Sequence, residues 1–183
     1  LLLTMIAMVH RYRGQLPGRR VELYAEICDV LLGHWRKAKG IQDSLTAAQK
    51  RVSLQQLAAA MMKIRLRQIS TTDAMAVMAE PLQSVNVTGE DAINFLPDVQ
   101  ASSGLLQESE FKEWSFSHLT FQEYLAAAHF SEYGDELHFS EWVDDSWWHE
   151  TLRLYAAQSN ATALVRACLT KDTVPTLSLA ADC

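Results

Sequence analysis

One histidine of this sequence, His118, stands where an imidazole could contact an anion. It closes a segment in which Trp114, Phe116 and His118 alternate with serines, the two-residue period of a half-buried strand. Two positions later, Thr120 and then Glu123 fit a capping box at the start of a helix. Because a helix N-terminus presents unpaired N–H groups and partial positive charge, an imidazole beside it could donate a hydrogen bond to a phosphate oxygen.

The same pattern admits a structural role for His118. The predicted capping box would use some of the free N–H groups of the helix, and the carboxylate of Glu123 would repel an anion that came too close. An imidazole that shares a strand face with Trp114 and Phe116 could instead be buried in the core. From the residues alone a buried structural histidine is the better-supported interpretation, and phosphate contact is the alternative.

Motifs for catalysis are absent from the sequence. It has no GxxxxGKS or GxxxxGKT phosphate loop and no GxGxxG turn, so this chain alone should not hydrolyse a nucleotide. It also lacks HExxH, GxSxG and paired cysteines with metal-ligand spacing, so we predict no catalytic residue and no metal site. The remaining histidines show no ligand spacing: His10, His34, His129, His138 and His149.

The charge distribution argues against a nucleic-acid partner. The 183 residues carry a formal net charge of −6, and residues 72–101 contain no lysine or arginine. A surface for DNA or RNA needs basic side chains that neutralise phosphates. The basic runs at residues 10–20 and 63–67 are interpreted as solvated helix faces and loops.

The apolar content and the cysteines indicate a folded chain in a reducing compartment. Hydrophobic residues make up 49% of the sequence. No apolar run approaches the roughly 20 residues that a membrane span needs, so we expect no membrane partner. Three unpaired cysteines predict reduced thiols and a cytoplasmic location, with Cys28 and Cys168 in the core. Since the sequence does not start with methionine, we expect it to be part of a longer chain.

Several helices are predicted before the His118 segment. One ends near residue 13, and the next covers residues 19–38. The second helix carries an apolar stripe made of Tyr24, Ile27, Cys28, Leu31 and Trp35. Ser53, with Gln56 three residues on, is predicted to cap a third helix, and Thr72 and Thr88 to mark two further helix starts.

After residue 104 the sequence changes from the helical to the strand period. Residues 104–108 and 114–118 are predicted to form a hairpin. A helix from Thr120 follows, with an inner face of Phe121, Tyr124, Leu125 and Ala128. Helices, a hairpin and another helix are the order of a winged helix. Two short helices are predicted next, one capped by Ser146 and one near residues 161–168, and residues 174–183 are expected to be a frayed tail or a truncated helix.

Residues 116–127, FSHLTFQEYLAA, resemble the FxHxxFQEYLAA signature of NACHT ATPases. These proteins belong to the signal-transduction ATPases with numerous domains and are related to animal NOD-like receptors. The start of the chain resembles the helical region that follows their nucleotide-binding core, at residues 1–5, 13–17 and 19–24. The resemblance covers residues 1–133 well and the remainder loosely.

The resemblance implies a mainly α fold in three parts. Residues 1–45 would form a small helical domain, and residues 46–133 a winged-helix domain with a small β-hairpin. Residues 134–183 would start a helical superhelix that leads to a downstream sensor region. The upstream neighbour of all three would be the nucleotide-binding domain of the same protein.

The resemblance also implies a regulatory role in a signalling ATPase, in defence or immunity. In the family, the winged-helix histidine contacts the β-phosphate of ADP and holds a closed, inactive state, and His118 occupies that position. The upstream domain would hold ADP or ATP with Mg, while this segment alone would bind neither tightly. Exchange to ATP would release the winged helix and allow the protein to form a homo-oligomer.

Two other functions remain as alternatives. A protein-interaction scaffold without a nucleotide role would suit the aromatic cluster of Trp142, Trp147 and Trp148, although core packing explains these residues better. A nucleic-acid-binding winged helix would need a basic recognition helix, which residues 72–101 do not supply.

Overall fold

The computed structural model describes residues 2–34, 45–134 and 137–183 of the chain. Helices account for most of these residues, and a three-stranded antiparallel sheet lies among them. Buried apolar side chains from all three ranges form one hydrophobic cluster. The fold is therefore mainly α with a small sheet, as the sequence predicted.

The chain begins with helices α1, Leu2–Arg13, and α2, Arg20–Asp29, followed by a π-helical turn, Val30–His34. The predicted apolar stripe is confirmed for the residues that the structure describes, because Tyr24, Ile27, Cys28 and Leu31 are all buried. Trp35 lies outside the described residues. The prediction of one helix over 19–38 is wrong in its extent, since the α-helical hydrogen bonding gives way to the wider π pattern at Val30.

The middle of the chain has the element order of a winged helix. Helix α3 and strand β1 come first, then helices α4, α5 and α6, then the hairpin strands β2 and β3. Their bounds are Ala47–Lys63, Ile69–Ser70, Thr71–Ser84, Gly89–Ile93, Phe95–Ser103, Leu106–Glu110 and Glu113–Phe116. Strand β3 lies between β1 and β2 and is antiparallel to both. The sequence predicted the hairpin but not β1, whose pairing joins Ile69 to Trp114.

Helix α3 starts at Ala47, not at Ser53. Thr46 Oγ1 accepts from the backbone amide of Gln49 at 3.2 Å, and Gln49 Oε1 accepts from the amide of Thr46 at 2.8 Å. This reciprocal pair satisfies two N–H groups that the first helical turn leaves free. Ser53 is buried inside the helix, where its hydroxyl donates to the carbonyl of Gln49.

Two other predicted caps are displaced in the same way. Ser70 caps α4 in place of Thr72, because its Oγ accepts from the amide of Asp73 at 3.1 Å. Ser146 does not cap the helix that follows it, since that helix begins at His149 with Trp148 in the capping position. Thr88 precedes α5 as predicted, although its side chain makes no capping bond.

Helix α7, Leu119–Tyr133, is the centre of the packing. The predicted inner face is confirmed, because Phe121, Tyr124, Leu125 and Ala128 are buried. The helix packs mainly against α3 and against a later helix, α9 (His149–Ala156). It therefore joins α3 to the helices that follow the winged helix.

The last part of the described chain consists of four helices: α8, Phe139–Trp142; α9, His149–Ala156; α10, Thr162–Lys171; and α11, Val174–Asp182. The rings of Trp142 and Trp148 are buried and stack with their centroids 4.0 Å apart. Core packing is therefore their role. None of the helices in the described ranges combines the length and apolar character that crossing a bilayer requires.

Candidate functional site

His118 caps helix α7. Its backbone is extended, with φ −150° and ψ 137°, and its Nδ1 accepts a hydrogen bond from the amide of Thr120 at 3.2 Å. The ring nitrogen thus takes the place of the usual capping oxygen. The prediction that Thr120 caps the helix with Glu123 is wrong, because Thr120 already lies inside the first turn. Strand β3 ends at Phe116, so His118 is not part of the strand either.

The capping bond determines which hydrogen-bonding group the ring of His118 offers to solvent. Nδ1 also lies 2.8 Å from Thr120 Oγ1, whose hydroxyl can donate to it. With Nδ1 accepting from the backbone amide, the proton of the neutral ring is assigned to Nε2. The side chain of His118 is exposed. The ring therefore presents an N–H donor, which suits a phosphate or carboxylate oxygen and does not suit a cation.

The residues around His118 hold its backbone in place. The amide of Ser117 donates to the carbonyl of Leu105 at 2.9 Å, which ties this point of the chain to the start of the hairpin. Phe116 before the cap and Phe121 after it are buried. The buried structural histidine that the sequence favoured is therefore wrong, because these two phenylalanines enter the core and the imidazole between them stays outside.

A cavity of about 660 Å³ opens beside His118. Its wall is formed by the segment before β1, by β3 and by the first turn of α7, with polar side chains from Arg67, Gln68, Glu113, Ser115, Ser117, His118 and Gln122. The hydroxyl of Ser117 is buried and has no hydrogen-bond partner among the described residues. Gln122 is already engaged, since its Nε2 donates to the carbonyl of Leu66 at 2.9 Å.

Arg67 brings a positive charge to this cavity. Its side chain is exposed, and its guanidinium carbon lies 5.8 Å from the centroid of the Trp147 ring. The basic run at residues 63–67 predicted a solvated face, with no signal that distinguished Arg67. No spacing rule could have linked Arg67 to His118, because the two residues are far apart in the chain and line one cavity only in the folded structure.

Glu123 lies half-buried on α7 instead of serving the cap. Burial, aided by the nearby charge of Glu150 and opposed by Arg20 and Arg67, raises the pKa of its carboxyl to about 7. At neutral pH this carboxyl is only partly ionised. Its repulsion of an anion at His118 is therefore weaker than that of an ordinary glutamate.

The other described histidines do not join this site. His129 lines a separate cavity of about 430 Å³, where burial and the charge of Lys63 lower its pKa to about 4. The Nε2 of His149 lies 2.9 Å from the carbonyl oxygen of Val143. Within the described ranges, no group of three histidine, cysteine or carboxylate side chains is placed to hold a metal ion.

The surface that a DNA-binding winged helix would present to nucleic acid is acidic here. Helix α5 exposes Glu90 and Asp91, and the hairpin exposes Glu108 and Glu110. The sequence has no lysine or arginine from residue 68 to residue 111. This surface would repel a phosphate backbone.

Comparison with known proteins gives one family. The model described as "Winged helix-turn-helix domain C-terminal to NACHT" matches residues 20–130, which include α2, the whole winged helix and most of α7. Neither the curated proteins nor the solved structures contain a match to the chain.

Proposed function

Because the chain belongs to the family of winged helix-turn-helix domains C-terminal to NACHT, we propose that it is the regulatory segment of a NACHT ATPase and that His118 contacts the β-phosphate of ADP bound upstream. The NACHT association indicates an upstream nucleotide-binding domain in the same protein. We propose that this domain holds the nucleotide, with Mg, and that His118 reaches it from the winged helix. The segment itself supplies no phosphate loop and would not bind nucleotide tightly alone.

The observation that carries the proposal is the orientation of the His118 ring. Nδ1 is committed to the amide of Thr120, so the exposed ring has Nε2–H as its donor. The cavity beside it, of about 660 Å³, leaves room for a phosphate group. Arg67 favours an anion there, whereas Glu113 opposes one.

The switch follows from a difference in binding between two states. ADP stabilises the closed state only to the extent that it binds this state better than the open one. A hydrogen bond from His118 to a charged phosphate oxygen contributes about 1.5–3 kcal/mol of that difference. This free energy corresponds to a shift of roughly 10- to 100-fold in the closed-to-open ratio. Release of the winged helix would then allow the nucleotide-binding domains to form a homo-oligomer and signal.

The dissociation rate of ADP from the full-length protein tests this role. We expect His118→Ala to speed dissociation about 10-fold or more, because the donor to the β-phosphate is lost. Basal signalling should rise in parallel. His118→Ser separates the two functions of the residue, since serine keeps the helix cap but has no ring that could reach a phosphate. His138→Ala, which removes another exposed histidine, serves as the control.

If the ring is the contact, His118→Ser and His118→Ala release ADP at the same raised rate, and His138→Ala behaves like the wild type. An ADP dissociation rate and basal signalling that stay at wild-type values in His118→Ser would show that the imidazole does not contact the nucleotide.

A further inference from the structure

We propose that Arg67 is a second phosphate-binding residue of the His118 site and that Trp147 positions it. This inference rests on the proposed function, because it concerns the same phosphate end of the nucleotide. It goes beyond that function by adding a charged contact and by linking the site to the helices that follow the winged helix.

Arg67 is available for an anion. It lines the same cavity as His118, and its side chain is exposed. Within the described ranges it makes no ion pair, whereas Arg65, two residues earlier, is paired with Asp145. A guanidinium presents several N–H donors in one plane, a geometry that matches two oxygens of a phosphate. His118 supplies one donor from its ring, and Arg67 would add a charged one.

Trp147 holds the guanidinium of Arg67 near the cavity. The guanidinium carbon lies 5.8 Å from the Trp147 ring centroid, within the range of a cation–π contact. The indole is itself fixed, because its Nε1 donates to the carbonyl of Met62 at 3.0 Å and its backbone amide donates to Asp145 Oδ1 at 3.0 Å. A side chain that is restrained before the ligand arrives loses less entropy on binding.

The contact between Trp147 and Arg67 connects the His118 site to the helices that follow the winged helix. Trp147 lies just before α9, in the part of the chain that follows the winged helix, and α9 packs against α7. His118 caps the N-terminus of the same helix, α7. A movement of the later helices would therefore withdraw Arg67 through Trp147 and loosen the hold on the phosphate.

The first experiment compares ADP dissociation from the full-length protein and its Arg67→Gln variant. We expect dissociation to be about 10-fold faster in Arg67→Gln, since a charge-assisted contact is lost. Arg67→Lys, which keeps the charge but not the planar fork, should fall between the two. The matched control is Arg166→Gln, which removes the same charge from an exposed position on α10.

The second experiment tests whether Trp147 acts through Arg67. Trp147→Phe keeps an aromatic face but loses the Nε1 hydrogen bond to Met62, so it should speed dissociation less than Trp147→Leu. Trp147→Leu keeps apolar volume without that face and should speed dissociation by about 2- to 5-fold, the range of an exposed cation–π contact. In the Arg67→Gln background, Trp147→Leu should have no further effect, because the guanidinium it positions is gone.

The results distinguish this inference from the proposed function. If His118→Ser speeds ADP dissociation while Arg67→Gln matches Arg166→Gln, Arg67 is not a phosphate ligand and the role of His118 stands. If neither substitution changes dissociation, both proposals fail. If Trp147→Leu still speeds dissociation in the Arg67→Gln background, or if Trp147→Phe is as impaired as Trp147→Leu, Trp147 does not act by positioning Arg67.

Discussion

The rings of Tyr24 and Phe121 meet edge to face, with their centroids 6.2 Å apart. Tyr24 belongs to α2 and Phe121 to the first turn of α7, so this contact joins the early helices to the helix that His118 caps. Both side chains belong to the hydrophobic cluster that runs through the described ranges. Packing of the early helices therefore bears directly on the position of the candidate site.

Loss of the Phe121 ring should destabilise the fold. Phe121 and Leu125 are both 0% exposed. Replacing either with alanine should lower the free energy of unfolding by about 2–5 kcal/mol, because apolar contacts are lost and a cavity remains. Urea denaturation of the purified chain measures this change. Gln100→Ala, at an exposed position of α6, is the control and should stay close to the wild type.

The capping role of His118 can be measured apart from any nucleotide. His118→Ala should lower the free energy of unfolding by about 0.5–2 kcal/mol, since the amide of Thr120 loses its acceptor. His118→Ser should restore most of that loss, because a serine hydroxyl caps helices well. Equal stability of His118→Ala and the wild type in urea would contradict the capping geometry.

The start of α3 predicts losses of stability of different size at two nearby residues. Thr46→Ala removes the capping box with Gln49 and should cost about 1 kcal/mol of stability. Ser53→Ala removes one hydroxyl from a helix interior, where alanine is the better helix former, and should cost less than Thr46→Ala. Thermal unfolding monitored by circular dichroism gives the ranking. A larger loss for Ser53→Ala would place the helix start where the sequence alone suggested.

The half-buried carboxyl of Glu123 should make stability depend on pH. Its pKa of about 7 in the folded chain exceeds the ordinary value of 4.5, so the folded state binds more protons between these values. Stability from this group is therefore full below the ordinary pKa and is lost as pH rises through about 7. Three nearby charges act on the Glu123 carboxyl. Glu150 opposes its ionisation, whereas Arg20 and Arg67 favour its ionisation.

Glu123→Gln isolates this contribution, because glutamine stays neutral. The stability of the variant relative to the wild type should increase from about pH 5 to about pH 8. Urea midpoints at several pH values measure this difference in stability. The pKa of His129 is lowered to about 4 in both proteins, so its contribution to the pH dependence cancels from the difference. A difference that is constant over this range would mean that Glu123 ionises as an ordinary glutamate.

The acidic surface of α5 and the hairpin predicts that the chain does not bind nucleic acid. Electrophoretic mobility shift with double-stranded DNA should show no complex at low salt, where electrostatic binding is strongest. A complex that weakens as salt is added would contradict this prediction and favour a nucleic-acid role.

Much of the fold could be predicted from local patterns. The alternation around Trp114 and Phe116 predicted the hairpin, and the period of Phe121, Tyr124 and Leu125 predicted the inner face of α7, which the structure confirms. Helix starts were less predictable. Several serines and threonines stand near each start, and the residue that caps is the one whose side chain meets a free amide of the first turn. Thr46 does so, whereas the hydroxyl of Ser53 donates to a carbonyl inside the helix.

The sequence alone determined that His118 lies between a strand and a helix. It also determined that the winged-helix surface lacks basic residues. Both features depend only on residues that are close together in the chain. The exposure of the imidazole, the use of its Nδ1 by Thr120 and the approach of Arg67 and Trp147 were decided by the tertiary structure. The physical reason is that side-chain exposure and cavity walls are created by elements distant in the chain. The pairing of β1 with β3 and the packing of α9 on α7 bring those elements together here.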